Sequence, residues 1–147
     1  MATIEEARRQ LMQLLNQDDR FCRCNEIQLT SIGEGCAEAE MPMSEKHLNG
    51  LGFAQGGATF TLADLAFAGA ANSHGRHAVA MVSNISFLRP GAGSRLFARA
   101  TEVSRTRRTG LYSIDVTNDQ GKLIARVSTN AFFSEERFDF FPEETEK

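Results

Sequence analysis

The chain has 147 residues, 41% of them hydrophobic and 24% charged, which suits one soluble globular domain and argues against a two-domain plan and against disorder. Its 19 acidic residues outnumber 16 basic ones for a formal charge of −3, so the global basic excess of a DNA- or RNA-binding protein is missing. Met1 to Leu15 mixes acids and arginines with apolar residues and has no small-residue cleavage site, so it is not a secretory signal and the expected location is cytoplasmic.

Thr3 and Glu6 form an S/T-x-x-E capping box, and Ile4, Ala7, Leu11, Leu14 and Leu15 recur at helical spacing. This predicts an amphipathic helix over 3–17. Ile27, Leu29 and Ile32 mark a strand ending at Gly33 and Gly35, and Cys36 to Met41 alternates around Glu38 and Glu40, giving an antiparallel pair. From His47 to Gly75, Asp64 is the only formally charged side chain. Within that run, Ala58 to Ser73 predicts a helix apolar almost all round, which protein or lipid must bury. It is short for a bilayer span and carries Asp64, Asn72 and several small residues, so protein is the expected surrounding and no membrane is expected.

Four strands follow. Ala78 to Leu88 ends at Arg89-Pro90-Gly91, Arg95 to Ser104 comes next, and Leu111 to Thr117 closes in the turn Asn118 to Gly121 before Leu123 to Phe133. The order implies an α+β domain whose mainly antiparallel sheet wraps around the central helix. The layout is an N-terminal helix over 1–20, a single domain over 21–134 and a loose acidic tail over 135–147. Cys22, Cys24 and Cys36 are odd in number and lack C-x-x-C spacing, and His47, His74 and His77 stand apart from them. Reduced, buried thiols are expected, with no disulfide framework and no metal site.

A carboxylate two turns into an apolar helix is disfavoured by desolvation, which raises its pKa. Asp64 reads either as a structural group bonded to its surroundings or as a general base or nucleophile tuned toward neutral pH. Just upstream, Gln55-Gly56-Gly57 opens the helix, where free amides and the helix dipole suit an oxyanion and the glycines admit a ligand close to the backbone. Asn49 either orients a water or caps its loop. Phe60 and Phe67 read as core, and Phe53, near the helix mouth, as core or as a wall of an acyl pocket.

The run Asn49-Gly50, Gly56-Gly57, Leu62-Ala63-Asp64 and Phe87-Leu88-Arg89-Pro90-Gly91 resembles the hotdog-fold acyl-CoA thioesterases, and most closely their phenylacetate-pathway (PaaI-type) branch, from about Asn25 to Phe133. The resemblance implies hydrolysis of a coenzyme A thioester by a homodimer or a dimer of dimers, with no metal and no cofactor, coenzyme A being part of the substrate. It gives Asp64 the catalytic carboxylate role, has the Gly56 N–H polarise the thioester carbonyl beside Gly57, and has Asn49 hold the water or the carboxylate. Family members commonly carry His before the two glycines. Here Gln55 stands there, which cannot titrate but can still donate a hydrogen bond. Arg89 with Pro90, and Arg105, Arg107 and Arg108 before Gly110, offer guanidinium groups for the nucleotide phosphates. A non-catalytic binder of acyl-CoA or another acyl ligand is the rival reading, and a hotdog dehydratase, which needs His beside its carboxylate, a weaker one.

With these roles, helix geometry implies a shared site. Gly56 and Asp64 are eight residues apart in sequence, roughly 12 Å along a helix, whereas a reacting carbon must lie about 3 Å from both the attacking group and the oxyanion donors. Two antiparallel copies of the helix meet that demand across a two-fold axis.

Overall fold

The computed structural model of the protein describes residues 2–144. Helix α1 (Ile4–Asp18) starts at the capping box: the Glu6 N–H donates to Thr3 Oγ1 at 3.1 Å and the Thr3 N–H donates to the Glu6 carboxylate at 3.1 Å. A short helix α2 (Arg20–Cys24), which the sequence pattern did not reveal, is initiated by Asp19, whose carboxylate accepts from the Cys22 N–H at 3.0 Å. Strands β1 (Gln28–Gly33) and β2 (Cys36–Pro42) form the expected antiparallel pair. Helix α3 (Gly56–Asn72) is followed by β3 (Arg76–Phe87), β4 (Arg95–Arg105), β5 (Thr109–Asn118) and β6 (Leu123–Arg137).

The six strands form one sheet in the order β1-β2-β4-β5-β6-β3, antiparallel at every pairing. Helix α3 touches all six, which is the expected wrapped helix of the hotdog fold. It packs through Leu62, Ala66 and Ala70, each fully buried. Gly69 lets it lie close: a Cβ there would come within 2.9 Å of Ala37 Cβ and of Leu29 Cδ2. Phe67 meets Tyr112 edge-on at 5.4 Å, and the Tyr112 hydroxyl donates to Glu102 at 2.8 Å, so this buried phenol keeps its hydrogen bond. Among the described residues no helix is long and apolar enough to cross a membrane.

Three expectations need correction. First, α3 is not covered all round by its own chain. Gly57 and Asp64 are exposed, and Thr61 and Ala68 are half-buried between and beyond them, so a stripe at i, i+4, i+7 and i+11 stays open. Second, the segment from Ser134 is not loose: β6 continues to Arg137, the Phe138 N–H donates to the Gly75 carbonyl at 2.9 Å, and Phe141 packs on Ala7 and Leu11 of α1. A continued strand satisfies backbone groups, and Phe141 joins Ile32 of β1 in covering an apolar stripe of α1. Residues 145–147 of the predicted tail lie outside the described residues. Third, the thiols are all free as expected, yet only Cys22 is buried; Cys24 is exposed and Cys36 intermediate.

Phe141→Ala removes the buried ring that packs on Ala7 and Leu11. It is expected to destabilise the protein by about 3 kcal/mol, measured as a lower midpoint in urea denaturation with an unchanged slope.

Candidate active site

The position of α3 begins with His47. Its ring is buried and held at both nitrogens: the Ser44 N–H donates to Nδ1 at 3.0 Å, and Nε2–H donates to the Asn25 carbonyl at 2.6 Å. The His47 carbonyl in turn accepts from the Gln55 N–H at 2.8 Å. One residue earlier, the Ala54 N–H donates to the Gly91 carbonyl at 2.8 Å. Between these anchors Asn49 organises its own loop, its side-chain oxygen accepting from the N–H groups of Leu51 at 2.9 Å and Phe53 at 3.1 Å. Gln55 is then the N-cap, and its side-chain oxygen accepts from the Ala58 N–H at 3.0 Å.

This cap leaves two amides over. The Thr59 N–H donates to the Gln55 carbonyl at 3.0 Å, so the first two residues of the helix, Gly56 and Gly57, keep N–H groups with no acceptor among the described residues. Free amides at the positive end of a helix are a ready-made anion site. Gly56 faces a cavity of about 450 Å³. Its walls are apolar: Leu51, Phe53, Phe87, Leu88 and Ile124, with Arg89, Pro90 and Gly91 at the rim and Asn49 and Thr59 as polar members. The Phe87 ring sits on the helix start, where a Cβ on Gly56 would come within 3.2 Å of its Cζ.

Asp64 lies two turns further along α3, on its open stripe. Although its surface is accessible, the protein around it displaces enough water to raise its pKa, and the nearby charge of Asp19 raises it further. The direction is the one expected from the sequence. Cys22, between these two carboxylates in the electrostatic sense, is pushed up to about 12 by burial first and by Asp19 second, so it stays a thiol.

The expected binding residues divide into two groups. Phe53, Arg89 and Pro90 meet at the cavity with Asn49 and Gly56, although Arg89 also donates to the Leu123 carbonyl at 3.1 Å. Arg107, Arg108 and Gly110 are on the β4–β5 hairpin, by Arg76 at the start of β3, whose guanidinium donates to the Arg107 carbonyl. The length of β3 puts them roughly 36 Å from Arg89 within one protomer. Gly110 is buried, and a Cβ there would press within 2.9 Å of Tyr112, so close packing alone accounts for it.

Leu51, Thr59, Phe87, Leu88 and Ile124 were not foreseen as cavity residues. Phe87-Leu88 belongs to the quoted motif next to Arg89, and Thr59 lies three residues beyond Gly56, which puts both on one helix face. Ile124 arrives through the β3–β6 pairing, which no local spacing encodes.

At the far end of α3, His74 Nε2 and the Tyr112 hydroxyl both meet Glu102 Oε1 at 2.8 Å, with Arg105 Nε at 3.3 Å. Burial holds His74 below its ordinary pKa against the pull of Glu102. Burial works to raise Glu102, and the bonds from Tyr112 and His74 outweigh it and hold it low.

A family model described as "Thioesterase superfamily" matches residues 51–125. The acyl-coenzyme A thioesterase PaaI of Escherichia coli is 41% identical over 110 residues, covering 74% of this chain and 79% of that protein. The solved E. coli PaaI structure, from the phenylacetic acid degradation operon, superposes with a TM-score of 0.86 at 34% identity, covering 92% of this chain and 99% of the other. A Streptococcus mutans protein solved bound to acetyl CoA superposes with a TM-score of 0.72 at 28% identity, covering 76% of this chain and 91% of the other.

A raised Asp64 pKa means that the folded chain holds this proton more tightly than the unfolded chain does. The ionised carboxylate therefore costs stability above the folded pKa and costs none below the unfolded value of ~3.9. Asp64→Asn is expected to raise the thermal midpoint at pH 7 to 8, with the difference shrinking to zero as the pH falls below that value, as read by calorimetry across the pH range.

Proposed function

Since the chain belongs to the thioesterase superfamily, we propose that it hydrolyses an acyl-CoA thioester at the mouth of α3, with Asp64 of one copy and Gly56 of another acting on the same carbonyl. The observation that carries this reading is the pair of unfilled amides at Gly56 and Gly57 opening on an apolar cavity, on the same helix as a carboxylate of raised pKa. The substrate class is supported by the E. coli relative named as an acyl-coenzyme A thioesterase and by the S. mutans neighbour bound to acetyl CoA.

In this mechanism Asp64 takes a proton from water as the water oxygen attacks the thioester carbon, or its carboxylate attacks that carbon directly. The carbonyl oxygen becomes an oxyanion that accepts from the Gly56 N–H, with Gly57 beside it. Collapse breaks the C–S bond. On the water route the coenzyme A thiolate takes the proton from Asp64 as the free acid leaves. On the direct route the acyl group stays on Asp64 as a mixed anhydride until a water hydrolyses it, giving the free acid, the carboxylate and the proton that the thiolate takes. Asn49 has its oxygen engaged within its loop, which leaves its amide N–H groups to hold the water or the carboxylate. Gln55 fills the N-cap, so it acts on the amides' position rather than as a proton carrier. No metal and no cofactor enter the scheme, and the protein works in the cytoplasm.

A second copy is required by distance, since Gly56 and Asp64 lie roughly 12 Å apart on one helix. Edge strand β3 offers the seam. Val79, Met81 and Val82 are 62%, 52% and 56% exposed, no charged residue interrupts Ala78 to Leu88, and an uncovered apolar edge invites pairing. Antiparallel pairing of β3 with its copy also brings the start of one β3, with Arg107 and Arg108, to the end of the other, with Arg89. Basic groups remote from each other in one protomer then form one grip for the nucleotide phosphates. The assembly is a homodimer or a dimer of dimers.

Asp64→Asn is expected to fold and to lose nearly all thiol release from acyl-CoAs; a variant keeping most of its kcat would end the catalytic assignment, and a wild type that binds an acyl-CoA without cleaving any would make the protein a binder instead. Mixing inactive Asp64→Ala with inactive Gly56→Pro should restore about a quarter of wild-type activity after random exchange, because half the dimers are mixed and each has one intact site; no recovery after verified exchange would refute the shared site. Arg89→Ala and Arg108→Ala should each raise KM for coenzyme A thioesters and leave small thioesters without the nucleotide unaffected.

A further inference from the structure

Thr59 is the one polar side chain in the cavity wall, among the described residues, that the mechanism above does not use. It is 2% exposed, and what remains open lies on the cavity that Gly56 and Phe87 also line. A threonine inside a helix ordinarily returns its hydroxyl to the carbonyl four residues back. Thr61 does so, donating to the Gly57 carbonyl at 2.7 Å. Thr59 does not: the Gln55 carbonyl accepts from the Thr59 backbone N–H, and the Thr59 hydroxyl has no hydrogen-bond partner among the described residues. Because no fully buried side-chain oxygen or nitrogen among the described residues lacks a partner, this hydroxyl opens on the cavity, where a bound molecule can give it one.

Its position along the helix says which part of a substrate it meets. Thr59 follows Gly56 by three residues, so the two share a face and their Cα atoms lie about 4.5 Å apart along the axis. Helical side chains lean toward the N-terminus, which brings the hydroxyl back toward the Gly56 end. With the thioester oxygen at the Gly56 N–H, an acyl chain running into the cavity passes Thr59 within its first few carbons, between the rings of Phe53 and Phe87.

We propose that Thr59 makes this pocket selective for acyl groups bearing a hydrogen-bonding oxygen on the third carbon, the 3-hydroxyacyl thioesters. The inference rests on the acyl-CoA reading above. A Thr hydroxyl both donates and accepts, so it matches an alcohol in either sense, and the apolar walls take the rest of the chain.

The test compares hexanoyl-CoA with 3-hydroxyhexanoyl-CoA in a thiol-release assay on the full chain. The wild type is expected to favour the hydroxylated substrate by about five- to tenfold in kcat/KM, the range of one neutral hydrogen bond. Thr59→Val should abolish the preference, and Thr59→Ser should keep it. Equal wild-type rates on the two substrates would overturn the assignment, and so would a Thr59→Val variant that slows both alike, because the hydroxyl would then serve the water or the carbonyl. If Thr59→Val does not fold, the wild-type ratio decides alone. A wild type that cleaves neither substrate fails the acyl-CoA reading itself, whereas cleavage of both without preference fails only the role of Thr59.

Discussion

The start of α3 is fixed by one residue with two bonds, and the cavity mouth follows from it. Gln55 ties its backbone N–H to His47 and its side-chain oxygen to Ala58. Had the helix started one residue earlier or later, other amides would be left without acceptors at the mouth. The buried imidazole of His47 is the outer part of the same arrangement, since it fixes the carbonyl that Gln55 answers. A side chain able to accept at the cap keeps this geometry without needing to titrate.

The same helix carries two unfavourable features on its open side. Its stripe leaves Asp64 among apolar neighbours, and β3 beside it presents Val79, Met81 and Val82 to solvent. An isolated protomer would suffer on both counts. A surface with exposed β-edge and a carboxylate of raised pKa is poorly suited to water and well suited to a second surface of the same kind. In the proposed dimer, function and association would draw on one set of residues, which would account for the most apolar helix of the chain being left partly uncovered.

Much of the fold was legible because it is written in local periods. The capping box at Thr3, the alternation around Glu38 and Glu40 and the turn at Asn118 to Gly121 each act within a few residues, and the structure follows them closely. α2 escaped notice because five residues are too few for a hydrophobic period to show, and Asp19 was the only cue. The chain beyond Ser134 was misread since its acids suggested solvent, while Phe138, Phe140 and Phe141 had their partners some 130 residues away in α1. At the site, Asn49, Gly56 and Asp64 could be picked out as polar or glycine exceptions in an apolar run. Thr59 and Ile124 could not, because an ordinary helical threonine and an ordinary strand isoleucine acquire meaning only when the β3–β6 register closes the cavity.

Glu102 gathers Tyr112, His74 and Arg105 onto one carboxylate oxygen, just where α3 ends and the β4–β5 hairpin begins to project. Through it the hairpin bearing Arg107 and Arg108 is braced against the same helix that bears Asp64. In a dimer both would reach the substrate lodged at the other copy's mouth, the arginines at its nucleotide end and the carboxylate at its reacting carbon. In the proposed dimer the span between them would be built into a single stiff body and would work as a caliper. A ligand whose phosphates and thioester are spaced like those of coenzyme A fits its jaws, and one with a shorter or longer arm meets only one of them at a time.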